Sequence, residues 1–576
     1  MGCCYPELML QGRLNVDRSK LQGITNRYAT TQLPSAKDDF GMYGNNKYVS
    51  NDWYVDVMAS YNKTFNELYS VSASTGWVGH TVKSDAYNQW IQATYFDPYG
   101  MNKLPELVNY FHPSARYGDN GIDQSNGSNW DKGWFFTGQF GYNDMVFVEG
   151  SYRIDWYRAF RQFAERGTPD HYGYWSIGAN TLMHKYLTLP EVITHLKLRA
   201  SYSEVGNSIP NQVFAKASVD KVTGGTSAPV YGYFDNPRPE TSKSFEVGYD
   251  ISLFNSSLNW DLTYYNTNLT NSYFLAATTG GKSKPVNTGS IRNQGVETTI
   301  SYNLLANRDW MWRTSVNLSY NDNKIEKTFL DEQGNPAKME QLIANGSIAV
   351  RYAPGGQYGD IYALDFHRNA DGTIFIDPQH GVPTKSQDQW VYLGNMNSKW
   401  NLGWSNTLQW KDLSLYFLIS GRIGGKFISL TEAHLDNIGM SQRSADARMA
   451  AEANNIVWTS ADGSVSKPGM MAHGTLVPIE DYYKTIGGQT FASEYVYNAT
   501  NFRLGEISIS YTLRNLFKGA IKGLTLSATG RNLFFIYKDA PADPDLALST
   551  ANGLGAFDIF NMPSCRSYGI NLKIEF

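Results

Sequence analysis

The residue types that do chemistry are thinly spread along this chain. Its nine histidines form no His-Glu-x-x-His pattern. Carboxylates such as Asp235, Asp360 and Asp365 stand with no nucleophile and base at a readable spacing, so no catalysis is expected. Cys3, Cys4 and Cys565 have neither metal-ligand spacing nor the makings of a disulfide framework, and no cofactor or metal is expected. The nearest approach to a metal loop is His367, Asn369, Asp371 and Gly372, because an EF-hand places oxygen ligands at alternate positions before a glycine. Here the first ligand position holds His367 and the twelfth holds Pro378 in place of a bidentate glutamate, which favours a plain loop turn over calcium. The remaining candidates are aromatic. Trp77, Tyr87, Trp90, Tyr95, Phe96, Tyr99, Tyr231, Tyr233 and Phe234 fall in expected loops and could stack on sugar rings, although loop packing or an interfacial belt is the commoner role for any one of them.

The elements that would position these groups are strands. In the last ten residues, Tyr568, Ile570, Leu572, Ile574 and Phe576 share one face, while Ser567, Gly569, Asn571, Lys573 and Glu575 share the other. An oily face opposite a wet face, with a period of two and a length near ten residues, is what a barrel wall between lipid and water requires. These five apolar residues are the expected signal for assembly into the membrane. The chain of 576 residues is 42% hydrophobic, yet its mean hydropathy is −0.41, so its apolar residues must be interleaved with polar ones. No uninterrupted apolar stretch approaches the ~18 residues of a transmembrane helix. Aromatics reach 14%, including 39 Tyr and 15 Trp, which suits interfacial girdles. With a net charge of −4 and no run of like charge, nothing suggests nucleic-acid binding, and no nucleic acid is expected as a partner.

The alternation recurs along the chain. Trp53, Val55, Val57, Ala59 and Tyr61 oppose Tyr54, Asp56, Met58 and Ser60, and Tyr69, Val71 and Ala73 follow as the second arm of a hairpin. Val146, Val148, Gly150, Tyr152 and Ile154 oppose Glu149, Ser151, Arg153 and Asp155. Leu196, Leu198, Ala200 and Tyr202 oppose Lys197, Arg199 and Ser201. Moving Arg199 to the lipid side at the midplane would cost about 2–4 kcal/mol, so the register is well determined. Short turns at Asn255-Ser256-Ser257, Ala306-Asn307-Arg308-Asp309 and Lys411-Asp412 join further hairpins. Between the hairpins lie long stretches, roughly residues 75–132, 206–242, 266–293, 321–399, 421–501 and 537–566, which are expected to be outer loops. The expected fold is all-β, a transmembrane antiparallel β-barrel of about 14–16 strands, each near ~10 residues. No composition break marks a second domain within residues 1–576.

Several motifs resemble one family, the SusC/RagA-type TonB-dependent outer-membrane transporters of Bacteroidetes. Leu196 to Tyr202 followed by Gly206-Asn207 is similar to a family strand running into a Gly-Asn loop. Pro239-Glu240 leading to Glu246-Val247-Gly248 resembles its Pro-Glu strand start. Asn287-Thr288-Gly289, Asn293-Gln294-Gly295-Val296-Glu297 and Leu393-Gly394-Asn395 with Trp400 and Gly403 are similar to further elements. So are Phe502-Arg503-Leu504, Gly530-Arg531-Asn532-Leu533-Phe534, Asp543-Pro544-Asp545, Pro563 and Arg566. The matches run from about Leu196 to Phe576 in family order.

The resemblance implies a location in the cell outer membrane, within lipid, and a nutrient importer's function. A SusD-like lipoprotein would cover the outer loops and deliver an oligosaccharide or peptide. The TonB complex would supply energy through an N-terminal plug domain. Family members begin with a signal peptide, a small β-sandwich, a TonB box and that plug. None is legible here, and Met1-Gly2-Cys3-Cys4 lacks a basic and apolar leader. The chain is therefore expected to be the later, C-terminal part of the barrel, with the plug absent and the TonB contact upstream. Two other classes stay open on the residues alone: an uncoupled barrel or channel, and a surface carbohydrate-binding β protein.

Overall fold

A computed structural model describes residues 7–27, 39–94, 118–161, 168–208, 237–277, 283–330, 335–336, 339–344, 346–516, 521–546 and 554–575. Sixteen long strands form antiparallel meanders in chain order, matching the expected all-β class and strand number. They are β1 (Leu8–Arg27), β2 (Asp39–Phe65), β3 (Tyr69–Thr94), β4 (Gly118–Tyr142), β5 (Val146–Tyr157), β6 (His171–Leu182), β7 (Ile193–Asn207), β8 (Glu240–Leu253), β9 (Leu258–Ala277) and β10 (Ser283–Ala306). They continue with β11 (Trp310–Lys327), β12 (Trp400–Trp410), β13 (Leu413–Ile423), β14 (Asn501–Leu516), β15 (Ile521–Lys538) and β16 (Ser567–Glu575). The chain divides into two compact units. One comprises Met1–Gly178, Glu204–Ala215 and Asp235–Pro239; the other comprises Ala179–Ser203, Lys216–Phe234 and Glu240–Phe576.

Turn chemistry fixes the register at one end of the strands. Asn66, Glu67, Asn143, Asp144, Asn255, Ser256 and Lys411 all adopt positive φ in the tight links. Asn and Asp tolerate that conformation better than other side-chain-bearing residues, which is why they gather in such turns. In the link before β11, Asn307 Oδ1 accepts from the backbone N–H of Asp309 at 3.1 Å and of Trp310 at 2.9 Å, mimicking a backbone turn. Because side chains alternate, each register pairs like with like. Val57 faces Trp77, and Trp77 faces Trp134. The apolar row is the exposed one: Val57 is 57% exposed and its neighbour Asp56 only 3%. A single sheet layer with its oily face outward has no core of its own.

The strands run further than their alternation does. β2, β3 and β4 are 27, 26 and 25 residues long. At about 3.3 Å per residue, 25 residues span roughly 80 Å, well beyond a ~30 Å hydrocarbon layer even when tilted. The expected loop over residues 75–132 is therefore corrected, since β3 continues to Thr94 and β4 begins at Gly118. The loop expected over 266–293 is likewise mostly strand. In these outer halves, as in Lys83-Ser84-Asp85, both faces carry polar side chains. The period of two fades from the sequence while the backbone ladder persists.

The stretches expected as loops over 321–399 and 421–501 are instead a folded cap within the second unit. A four-stranded sheet (Met339–Ile343, Ile348–Tyr352, Asp360–Phe366, Lys385–Asn395) joins three helices, α1 (Leu430–Asn437), α2 (Gln442–Asn454) and α3 (Ile479–Gly488). Ser429 caps α1 by accepting from the N–H of Glu432 at 3.2 Å, and Ser441 caps α2 through Ser444 at 3.2 Å. One core gathers Phe366, Val477, Ile479, Tyr482, Ile486, Phe491 and Tyr495. A second gathers Ile348, Val350, Ile361, Ile428 and Phe557. Most of the fully buried apolar side chains among the described residues lie here, where two layers press together.

Candidate functional site

The face opposite the apolar row carries the charge. In the first unit Arg13 Nε lies 2.9 Å from Asp56, and His80 sits between Asp52 at 2.8 Å and Asp131 at 3.1 Å. Arg153 Nε donates to Asp155 at 2.8 Å. In the second unit Asp250 and Asp261 stand directly opposite each other on β8 and β9, an arrangement that would repel. Arg199 resolves it, with one guanidinium nitrogen 2.8 Å from Asp250 and the other 2.8 Å from Asp261. Gly248 makes room for this clamp: a Cβ there would stand 2.5 Å from the Leu262 carbonyl oxygen and 3.1 Å from Arg199 Cζ. The Glu-x-Gly motif thus has a local cause. The face is charged, and its charges are paired internally.

Three indole N–H groups on the apolar face are paired within the sheet. Trp260 Nε1 donates to Thr298 Oγ1 at 2.8 Å, Trp404 Nε1 to Thr314 Oγ1 at 2.9 Å, and Trp312 Nε1 to Asn406 Oδ1 at 3.1 Å. Each acceptor lies diagonally on the neighbouring strand. An indole N–H in hydrocarbon finds no water, so a cross-strand hydroxyl or amide must serve.

At the far end of the strands, motifs distant in sequence meet in two clusters. In the first, Arg503 pairs with Asp543 at 3.3 Å and also with Asp545, while its guanidinium lies 4.9 Å from the Phe535 ring centre. Arg422 Nε lies 2.8 Å from Asp545, and the same guanidinium also donates to the Pro544 carbonyl. The Asp-Pro-Asp loop is held by two arginines.

The second cluster is a recess of about 210 Å³ whose lining includes Asn293, Asn321, Asn323, Gln357, Asn397 and Lys399. Asn293 on β10 and Asn321 and Asn323 on β11 occupy the charged-face positions of their strands. Asn323 Nδ2 donates to Asn293 Oδ1 at 2.8 Å, and Asn323 Oδ1 accepts from the Tyr358 backbone N–H at 2.8 Å. Asn395 Nδ2 donates to the Tyr358 carbonyl at 3.1 Å and to Asp360 Oδ1 at 2.9 Å. Asp322 accepts from Gln357 Nε2 at 3.0 Å and from Lys399 at 2.6 Å. Gly295 leaves space for Tyr265, whose hydroxyl would lie 2.5 Å from a Cβ there and donates to Asn321 Oδ1 at 2.9 Å. Burial raises the Tyr358 hydroxyl above its ordinary pKa. Sequence reading flagged Asn293 and Asn395 through the resemblance but missed Asn321, Asn323 and Gln357. The recurrence of Asn at 317, 321 and 323 on one face was the available signal.

The EF-hand-like loop is a turn. Asp371 Oδ1 accepts from the Thr373 backbone N–H at 3.0 Å and hydroxyl at 2.7 Å, and Arg368 donates to the Gly372 carbonyl at 2.9 Å. The Thr373 bonds lower the Asp371 pKa. Among the described residues no group of three His, Cys, Asp or Glu is placed to hold a metal. Of the aromatic candidates, Trp77, Tyr87 and Trp90 belong to strand β3, with Trp77 in the exposed apolar row, and so are not loop residues. Tyr95, Phe96, Tyr99, Tyr231, Tyr233 and Phe234 lie outside the described residues, as does Phe576. Tyr568, Ile570, Leu572 and Ile574 of β16 are exposed.

Comparison with known proteins agrees with the architecture. The family described as TonB dependent receptor-like, beta-barrel matches residues 7–420. TonB-dependent receptor P3 of Formosa agariphila is 26% identical over 70% of this chain and 41% of its own length. TonB-dependent receptor SusC of Bacteroides thetaiotaomicron is 21% identical over 70% of this chain and 39% of its own. The chain therefore spans less than half of either protein. A structure of the RagAB peptide importer in the open-open state superimposes with a TM-score of 0.74 at 19% identity, covering 100% of this chain and 60% of that one.

Proposed function

We propose that this chain, which belongs to the family of TonB-dependent receptor-like β-barrels, forms the wall and outer cap of a nutrient importer in the outer membrane. The observation that carries this reading is the sidedness of the strands: an exposed apolar row in which the indole N–H groups of Trp260, Trp312 and Trp404 are satisfied internally, opposite a charged face held by Arg199, Asp250 and Asp261. The imported nutrient would be an oligosaccharide or a peptide passing along the charged face. A SusD-like lipoprotein would dock over the folded cap, and the TonB complex would act through an N-terminal part of the whole transporter. Tyr568, Ile570, Leu572, Ile574 and Phe576 would be read by the membrane assembly machinery, and deleting them should abolish insertion.

The test places one arginine on either side of the same strand in the chain exported to the outer membrane. Val247→Arg puts a charge among lipid at a cost of about 2–4 kcal/mol and should deplete the urea-resistant membrane fraction. Glu246→Arg faces water and should insert like the parent. Equal insertion of the two variants would overturn the sidedness.

A further inference from the structure

We propose that the amide-lined recess at the outer end of β10, β11 and β12 binds one ring of a neutral sugar. Its charge comes first. Lys399, the one cation in the lining, is 2.6 Å from Asp322, so the recess offers amide dipoles without net charge. A carboxylate, phosphate or ammonium ligand would lose its water there for no compensating ion.

The amides divide into two sets. Asn323 and Asn395 use both ends of their side chains in bracing: Asn323 through Asn293 and Tyr358, and Asn395 through Tyr358, Asp360 and the Asn397 backbone. The others are half used. Asn293 and Asn321 accept through Oδ1, while Gln357 and Asn397 donate through their amide nitrogens. Among the described residues that leaves two donors, Asn293 Nδ2 and Asn321 Nδ2, and two acceptors, Gln357 Oε1 and Asn397 Oδ1, without partners. A sugar hydroxyl both donates and accepts, so neighbouring hydroxyls complement such a mixed set. The braced pair holds the set in place before the ligand arrives, which lowers the ordering cost.

Size and backbone argue against a peptide. At about 210 Å³ the recess is smaller than the ~300 Å³ at which pockets hold whole drug-sized ligands. It takes one ring, with the rest of a longer glycan in the open. An extended peptide gains most of its affinity by pairing with a free strand edge. Here β10 pairs with β9 and β11, β11 pairs with β10 and β12, and the Asn321 N–H already donates to the Lys399 carbonyl at 2.9 Å. This inference rests on the proposed function in one respect, that the recess faces the solute path rather than lipid.

The experiment is saturation-transfer NMR on the full chain in detergent micelles, with glucose, galactose, mannose and N-acetylglucosamine each as probe and trialanine as comparison. At least one sugar should bind in the millimolar range. Asn321→Leu and Asn321→Asp should each weaken that sugar at least tenfold; the second keeps an acceptor for the Tyr265 hydroxyl but replaces the donor with a charged carboxylate oxygen. Gln409→Ala, at the opposite end of β12, should leave binding unchanged. No binding of any of the four, binding that survives both Asn321 variants, or Asn321-dependent binding of trialanine would overturn the proposal. Partition of the same samples between detergent and water reads the barrel assignment separately. Failed sugar binding with intact partition removes the recess alone.

Discussion

The indole pairs on the apolar face offer the most direct measure of whether that face meets hydrocarbon. Thr298 Oγ1 accepts from Trp260 Nε1 at 2.8 Å and donates to the Asp261 carbonyl at 2.8 Å. Thr298→Val keeps the shape and removes the hydroxyl. Losing one net hydrogen bond costs about 1 kcal/mol, and leaving a buried donor unmade costs about 1–3 kcal/mol. Hydrogen bonds inside membranes measured by double-mutant cycles average about 0.6 and reach about 1.7 kcal/mol. The expected loss is therefore about 1–2 kcal/mol. In a Trp260→Phe background the indole donor is gone, so the same substitution loses only the bond to the Asp261 carbonyl and should cost less, by a coupling energy of about 0.6–1.7 kcal/mol. The assay is reversible chemical unfolding of the chain in lipid vesicles, read as a shift of midpoint at constant slope. A coupling energy within about 0.3 kcal/mol of zero would mean that the indole finds water when Thr298 is lost. The face would then not be lipid-facing, and the argument from sidedness would fail with it.

Other outcomes follow from single sites. Gly248→Ala forces a Cβ to within 2.5 Å of the Leu262 carbonyl and against Arg199, so the midpoint of the same unfolding transition should fall, by about 1–3 kcal/mol as for other overpacked sites. Arg503→Ala strips the partner from Asp543, whose side chain is only 5% exposed, a change that costs about 3–5 kcal/mol when the remaining charge is buried. Limited proteolysis should then cut near Asp543, and an unchanged cleavage pattern would show that Arg422 alone holds the loop. Lys385 in the cap donates to the Thr490 carbonyl at 2.8 Å, and burial pushes its pKa down to about 8 from 10.5. The unfolded chain therefore binds more protons between those values, so cap stability should rise with pH across that window, and the penalty of burying the charge is fully present below about pH 8. Lys385→Met should melt higher than the parent near neutral pH and show no such slope by circular dichroism. A slope that persists would place the titration elsewhere.

The wall was legible because its rules are local. Which face Val247 and Glu246 occupy is decided by residues two apart, and the turns at Asn255, Asn307 and Lys411 set the register within a few residues. Strand number and fold class therefore followed from alternation alone, as did the face carrying Arg199. Where both faces of a strand carry polar side chains the alternation lapses, and for that reason the sequence pattern does not mark the outer halves of β3 and β4 as strand. The cap and both clusters depend on partners that no local pattern announces. Lys385 meets Thr490, Arg503 meets Asp543, and Asn321 meets Tyr265 and Lys399 across separations of tens of residues or more. A motif can mark Asn293 and Asn395 as unusual. That they line one uncharged recess, with some amides fully engaged and others half free, is decided only when the chain has closed the intervening loops and brought those strand ends together.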